Sequence, residues 1–223
     1  MNAYTHMVVG GLTGGVFVAA SLATGSMGFE VSTHTIYPFI TVIPAVYGAL
    51  GPDVDLPQSK AGKRMRQVLT VSIVVAGIAL LVATFTGLLS DMGGGAQIFP
   101  LVVLFLACAL FTVIKLAKHR GVTHTGLLWL CLIAPLVFYV LTGEPSTLTN
   151  VILSVYVGFL IGWFSHLVAD SFNKKGVPWL FPLSSKKINF MTVTTGTHQE
   201  TVFRFASIIV FVAIYVFIIA FGR

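Results

Sequence analysis

Histidine and aspartate residues stand together in short motifs of this chain, and both residue types can hold a divalent metal ion. His166 and Asp170 lie four residues apart. On a helix this spacing places both side chains on one face, so that they could share one ion, or the aspartate could orient the imidazole. Such ligands suit Zn²⁺ or a similar ion, and catalytic zinc sites keep one position open for water. The pair therefore predicts a metal site at the end of a helix, although Asp170 could instead pair with Lys174.

Two other motifs carry the same residue types. Asp53 and Asp55 follow a Gly-Pro pair, and in an extended segment their carboxylates would point the same way. His119 and His124 are five residues apart, which fits one helical face poorly, but a turn around Gly121 could bring them together. Any one of these residues alone is more typical of a helix cap or an interfacial position than of a metal ligand. Several such motifs on one face of the protein would favour a site.

The composition of the chain indicates which elements must position these motifs. Of the 223 residues, 56% are hydrophobic and 9% are charged, and the mean hydropathy is +0.94. A soluble domain of this length could not cover so much apolar surface with so few charges, whereas a bilayer suits it. Cys108 and Cys131 lie in apolar runs and offer no disulfide framework. We expect a single transmembrane helical domain over residues 1–223.

Apolar runs predict an all-α polytopic membrane protein, a bundle of about seven transmembrane helices, because a spanning helix needs roughly 20 apolar residues. The second run is short and contains two prolines, so it could be kinked or span only partly. The glycines of the first run (Gly10, Gly11, Gly14 and Gly15) have the spacing that lets another helix approach closely. The runs are Met7–Met27, Thr35–Leu50, Val68–Leu89, Ile98–Leu116, Gly126–Leu141, Thr149–Ala169 and Thr201–Phe221.

Lysines and arginines are confined to one set of the connections between these runs, except for the C-terminal arginine. The opposite connections carry Glu30, Asp91 and Glu144. The positive-inside rule therefore predicts that the basic side and the N-terminus are cytoplasmic. Basic loops beside an anionic leaflet need no nucleic-acid partner, and no nucleic-acid-binding module is recognisable. In this topology all the motifs lie on the cytoplasmic face, together with His6 before the first run and Glu200 at the start of the last.

The order of the motifs resembles the YdjM-type family, described as predicted membrane-bound metal-dependent hydrolases of bacteria and archaea. The segments that carry the resemblance are Thr5-His6, GPDVDLPQS (51–59), HRGVTHT (119–125), SHLVAD (165–170) with the following GVPWLFPL, and the stretch 196–200. Together they span about residues 1–205. The family is distantly similar to zinc-dependent phospholipase C and related nucleases, which implies phosphoester chemistry in the inner membrane. Leu56 stands where many relatives have a histidine, which leaves the number of ions open.

The resemblance implies a membrane-embedded hydrolase that acts on a phosphoester, a lipid phosphoester among the candidates, through a metal-activated water. One to three divalent ions are expected, with Zn²⁺ favoured, and such an ion lowers the pKa of bound water towards about 7. Glu200 or Asp55 would act as the general base, and Arg120 would grip a phosphate oxygen. The expected ligands are His6, Asp53, Asp55, His119, His124, His166 and Asp170. The lysines expected to hold an anionic lipid head group are Lys174, Lys175, Lys186 and Lys187.

Two other classes of function stay open. Histidine and aspartate sites also serve ion pathways, so the chain could be a transporter of metal ions or protons. Transporter sites usually lie near the bilayer midplane and often within inverted repeats, whereas these motifs cluster at one edge and no repeat is recognisable. The other class is a non-catalytic membrane scaffold with a structural metal. The sequence favours the hydrolase and identifies the lipid bilayer, but no protein, as a partner.

Overall fold

The computed structural model describes residues 1–24, 36–55, 60–87, 100–105, 107–109, 122–142 and 147–221, and most of them are helical. The helices are α1 (Ala3–Thr24), α2 (Ile36–Gly48), α3 (Lys60–Phe85), α4 (100–105 and 107–109), α5 (Gly126–Thr142), α6 (Thr147–Ser171) and α7 (His198–Phe221). Short 3₁₀ turns follow α2 (Pro52–Asp55) and precede α5 (Val122–His124). Each apolar run contains helix and the described residues form no strand, which confirms the prediction of an all-helical protein.

The predicted number of membrane-spanning helices is larger than the described helices support. Three of them are long and apolar enough to cross a membrane, by length and composition: Ala3–Ala23, Thr149–Ser171 and His198–Phe221. The described part of helix α2 has 13 residues, about 20 Å of helix, against the roughly 30 Å of a hydrocarbon core. Basic residues occupy the first turns of α3, which shortens its apolar part to Thr70–Phe85. Short or charge-interrupted runs thus reduce seven predicted spans to three by this criterion.

Helix α6 is central to the bundle. It contacts α1, α2 and α5, while α1 also packs against α2 and α7. Most of the described side chains on α3 and α7 expose apolar surface, as expected of helices whose faces contact lipid. Helix α6 therefore carries the side chains that are best shielded from lipid and water. Its buried residues form a core cluster with residues of α5 and of the segment after α6: Tyr156, Leu160, Trp163, Leu167, Leu132, Tyr139 and Val177.

Glycines allow α6 and α2 to touch backbone to backbone. A Cβ atom at Gly162 of α6 would overlap the carbonyl oxygen of Ala45, and one at Gly158 would overlap that of Thr41. From the other side, a Cβ atom at Gly14 of α1 would lie 2.8 Å from the Cβ atom of Ala45. Close approach through small residues is therefore the packing mode of α2 with both neighbours. It fixes the C-terminal end of α2 beside the second half of α6.

Residues 172–197, called the connector below, link α6 to α7 without a helix. Val177 and Ile188 exchange two backbone hydrogen bonds, of 3.0 and 2.9 Å. The indole Nε1 of Trp179 donates to the hydroxyl of Ser171 at 2.9 Å, and the Trp179 carbonyl accepts from the first amide of α5 at 3.0 Å. The connector is therefore tied both to itself and to the ends of two helices.

Candidate metal centre

The structure brings five of the predicted metal ligands together. His6 comes from the start of α1, Asp53 from the turn after α2, His124 from the turn before α5, and His166 and Asp170 from the end of α6. The three histidines and Asp170 are buried, and the Asp53 side chain is 19% exposed. Residues far apart in sequence come together because the start of α1, the end of α2, the start of α5 and the end of α6 lie side by side.

The other candidates lie elsewhere. His119 and Arg120 are outside the described residues. Asp55 ends the turn that holds Asp53, and its side chain is likewise outside the described part of the chain. Glu200 is buried in the first turn of α7 and belongs to neither of the potential metal groups that the described residues form.

The donor atoms of the five side chains lie at distances that suit a shared ion. His166 Nε2 is 3.7 Å from Asp170 Oδ2 and 4.0 Å from Asp53 Oδ1. His124 Nε2 is 3.6 Å from Asp53 Oδ1 and 4.0 Å from Asp170 Oδ2. Ligand atoms that bind one zinc ion at about 2.0–2.2 Å are roughly 3–4 Å apart, whereas hydrogen bonds to nitrogen are usually shorter than about 3.2 Å. The spacing fits a coordination shell better than direct hydrogen bonding.

These atoms form two adjacent groups that share His166. One group contains Asp53, His124 and His166, and the other contains His6, His166 and Asp170. Within each group the donor atoms lie within 4.8 Å of one another. Asp170 faces both groups, because Oδ2 lies near His124 and His166 while Oδ1 is 3.3 Å from His6 Nε2. The arrangement provides ligands for one ion or for two neighbouring ions.

One hydrogen bond fixes the tautomer of His166. Its Nδ1 atom lies 2.7 Å from the carbonyl oxygen of Ala49, which can only accept, so Nδ1 carries the proton. In the neutral ring the Nε2 atom then keeps its lone pair, and this atom is buried with no hydrogen-bond partner among the described residues. A histidine that binds a metal through one ring nitrogen usually donates a hydrogen bond from the other, often to a backbone carbonyl group. Ala49 therefore prepares His166 to bind an ion through Nε2.

Stacking on His166 positions the ring of His6. The two ring centroids are 3.8 Å apart and the ring planes differ by 18°. Both ring nitrogens of His6 are buried without a hydrogen-bond partner in the part of the chain that the structure describes, although Nε2 lies 3.3 Å from Asp170 Oδ1. The stack places the Nε2 atoms of both rings within 3.7 Å of a carboxylate oxygen of Asp170.

Asp53 lies in a turn outside the helices, and its surroundings favour the ionised carboxylate. Burial alone would raise the pKa of Asp53, but the close His124 imidazole, whose Nε2 atom is 3.6 Å from Oδ1, and the charge of the nearby histidines lower this pKa below its usual 3.8. Asp53 is therefore ionised at neutral pH. An ionised carboxylate is the form that a cation requires.

Glu200 anchors the start of α1. One of its oxygens accepts hydrogen bonds from the Asn2 amide at 2.6 Å and the Thr5 hydroxyl at 2.9 Å. The other accepts from the Gly196 amide at 2.7 Å. Asn2 in turn caps α1, since its side-chain oxygen accepts from the Thr5 amide at 2.9 Å. These contacts suit a residue that positions the helix carrying His6 better than the general base expected from the sequence.

Two backbone groups of the site have no counterpart in the sequence reasoning. The N-terminal amine of Met1 donates to Asp170 Oδ1 at 2.8 Å in a buried position, and the Ala49 carbonyl binds His166. A carbonyl group is present at every residue and a terminal amine at the start of every chain, so no residue type identifies these two. The available signal is general: the last turn of a helix leaves carbonyl oxygens unpaired, and Ala49 follows the end of α2.

Comparison with known proteins places this arrangement in a family. The family model described as YdjM inner membrane protein matches residues 1–223. No curated protein and no solved structure matches the chain. Because the match covers the whole sequence, and because three helices are long and apolar enough to span a bilayer, the chain is an inner membrane protein that belongs to the YdjM family.

Proposed function

We propose that this protein is a metal-dependent hydrolase of phosphoesters, with lipid phosphoesters as substrates and Zn²⁺ as the favoured ion. The observation that carries the proposal is the Nε2 atom of His166, which is buried without a hydrogen-bond partner among the described residues and lies 4.0 and 3.7 Å from carboxylate oxygens of Asp53 and Asp170. Leaving such an acceptor unsatisfied costs about 1–3 kcal/mol. An ion bound between these atoms would remove that cost.

The proposed ligand set has the chemistry of a catalytic site. His124, His166, Asp53 and Asp170 surround one position, and His6 with Asp170 Oδ1 provides a neighbouring one. Mixed imidazole and carboxylate ligands are typical of zinc and similar ions that keep a position open for water. Ionisable residues inside membrane proteins are costly and usually serve a function. These considerations support a bound ion with a chemical role.

An ion held here supplies a water ligand of lowered pKa and a Lewis acid for a phosphoryl oxygen. The residues of this chain hold the ligands in place: Ala49 keeps His166 in one tautomer, and Glu200 fixes the start of α1. Because three hydrogen bonds occupy Glu200, Asp55 is the better candidate for the general base. Arg120 is the proposed phosphate-binding group.

We also propose the topology that the lysines and arginines predict, with the N-terminus and the site on the cytoplasmic face. The site residues lie at the start of α1, after α2, before α5, at the end of α6 and at the start of α7. Because the start of α1 and the end of α6 meet at the site, these two helices run in opposite directions, as alternate passage through a bilayer requires. A site at helix ends differs from the midplane sites on broken helices that transporters commonly use. It therefore favours the hydrolase over an ion transporter.

Elemental analysis of the full-length protein, purified in detergent without chelator, tests the metal. We expect at least one zinc per chain, and we expect His166→Ala to remove most of it. His198→Ala is the matched control, because His198 is an exposed histidine at the start of α7. A wild-type protein without metal, or equal metal in the two variants, would refute the proposed site.

Activity is tested separately on phosphatidylglycerol in mixed micelles and on the water-soluble bis(p-nitrophenyl) phosphate. Hydrolysis that disappears with EDTA and returns with Zn²⁺ supports the proposal, whereas hydrolysis that ignores EDTA contradicts it. Bound metal without hydrolysis would instead indicate the structural-metal scaffold. Metal flux into proteoliposomes would indicate the transporter.

A further inference from the structure

The connector lies at a membrane surface because of the two helices that it joins. It begins directly after α6 and ends directly before α7, and the apolar stretches Thr149–Ser171 and His198–Phe221 are both long enough to cross a bilayer. The 26 residues from 172 to 197 therefore remain on the side of the membrane where the first stretch ends and the second begins.

Large apolar side chains of the connector point away from the protein. Leu180, Leu183, Phe190 and Met191 are 54%, 82%, 63% and 55% exposed. Isolated exposed apolar residues are ordinary, but several in one short segment mark a surface that binds an apolar partner. At this position the acyl region of the bilayer is the adjacent apolar phase.

The charge of the connector is of one sign. Lys174, Lys175, Lys186 and Lys187 are all exposed, and the sequence of residues 172–197 contains no aspartate or glutamate. Basic residues combined with exposed leucine and phenylalanine are typical of segments that lie in the interface of an anionic membrane. The lysines would contact lipid head groups while the apolar side chains enter the layer below.

The opposite face of the connector is fixed to the protein and lies next to the metal centre. Val177 is fully buried, and the Trp179 indole donates to Ser171, the residue after Asp170. The Trp179 carbonyl accepts from the Gly126 amide, two residues after His124. The exposed side chains are thus presented by a backbone that is hydrogen-bonded to residues one and two positions from the proposed ligands Asp170 and His124.

We propose that the connector is a docking surface for the anionic leaflet of the membrane. Its apolar side chains enter the leaflet, and its lysines bind the acidic head groups. A consequence, which rests on the proposed function, is that the substrate is an anionic phospholipid that reaches the metal centre from the leaflet. The docking itself does not depend on catalysis.

The depth of the connector is measured with an environment-sensitive bimane label on Leu183→Cys, in a full-length background with Cys108→Ser and Cys131→Ser. The protein is reconstituted in nanodiscs of phosphatidylcholine with phosphatidylglycerol. We expect the label at position 183 to be quenched by brominated acyl chains, and the label on Ser185→Cys, an exposed polar position of the connector, to be quenched much less. A label at position 183 that responds only to a water-soluble quencher would overturn the proposal.

The charge dependence is measured by raising the phosphatidylglycerol fraction. Replacing Lys186 and Lys187 with glutamine should weaken the apparent affinity for the anionic lipid by roughly 30-fold, since each lysine contributes about fivefold near such a surface. Replacing both with arginine keeps the charge and should keep the affinity. Equal apparent affinity of the glutamine and arginine double variants for the anionic lipid would overturn the electrostatic docking. Quenching that depends on protein density and not on lipid composition would also overturn it, and would indicate contact between copies of the protein. A protein that docks and binds metal but hydrolyses no phospholipid would refute the proposed function and leave the docking surface standing.

Discussion

Replacing Gly162 with alanine should disturb the metal centre without changing any ligand. A Cβ atom there would overlap the Ala45 carbonyl oxygen and lie 2.7 Å from the Ala49 amide nitrogen, and both are backbone atoms that no rotamer change can move. Helices α2 and α6 must therefore separate locally. The hydrogen bond from His166 Nδ1 to the Ala49 carbonyl crosses this same contact.

The expected magnitude follows from three contributions. Forcing a methyl group into a packed interface costs about 1–3 kcal/mol. Weakening the His166 hydrogen bond costs about 1 kcal/mol more. Alanine is better than glycine inside a helix by about 0.5–1 kcal/mol, which offsets part of the loss. The net destabilisation is about 1–3 kcal/mol, and losing the support of a histidine ligand should lower metal affinity by roughly 10–100-fold.

Thermal unfolding in detergent and zinc titration measure these two effects. Gly15→Ala in α1 is the matched control, because a Cβ atom there meets no heavy atom within 4 Å. It should leave the unfolding midpoint unchanged or raise it, and it should leave zinc affinity unchanged. If Gly162→Ala behaves like Gly15→Ala in both measurements, α2 does not control the orientation of His166.

Other substitutions probe the anchors of the site. Glu200→Ala removes the acceptor of three hydrogen bonds and should lower the free energy of unfolding by about 2 kcal/mol or more, together with zinc affinity. His198→Ala, at an exposed neighbour, should change neither. Trp179→Phe removes one hydrogen bond to Ser171 and should cost about 1 kcal/mol in denaturation experiments; a loss of metal in this variant would contradict the placement of the connector outside the ligand set. Asp53→Asn replaces a carboxylate ligand with a neutral amide and should weaken zinc binding at least about tenfold in a titration. Unchanged affinity would exclude Asp53 from the site.

The sequence predicts the parts of the site that depend on local spacing. His166 and Asp170 are four residues apart on a helix, and their donor atoms do lie 3.7 Å apart in the structure. Asp53 and His124 lie in short turns at helix ends, where their motifs suggest a break in the helix. The Met1 amine and the Ala49 carbonyl could not be predicted, because their roles depend on which helix ends meet and not on residue type.

Among the described residues, counting apolar runs overestimates the number of helices long enough to cross a membrane, for a related physical reason. A hydropathy run records apolar composition, but it does not record whether a helix is long enough to cross the bilayer alone. The described part of helix α2 is apolar and 13 residues long. It packs between α1 and α6, and its backbone lies against glycines of both helices. Its end brings the Ala49 carbonyl group to His166, and an apolar run in the sequence does not indicate that contact.

One stripe of α6 joins close helix packing to metal chemistry. Gly158, Gly162, His166 and Asp170 follow one another at intervals of four residues, so each lies about 40° around the helix from the one before. The two glycines lie against the backbone of α2. The next position on the stripe, His166, lies where α2 ends, and its Nδ1 atom donates a hydrogen bond to the carbonyl oxygen of Ala49. The position after it, Asp170, lies beyond the end of α2 and faces His6 and His124. The site thus continues a small-residue packing seam past the end of the partner helix, which is why a glycine two turns from Asp170 should control metal affinity.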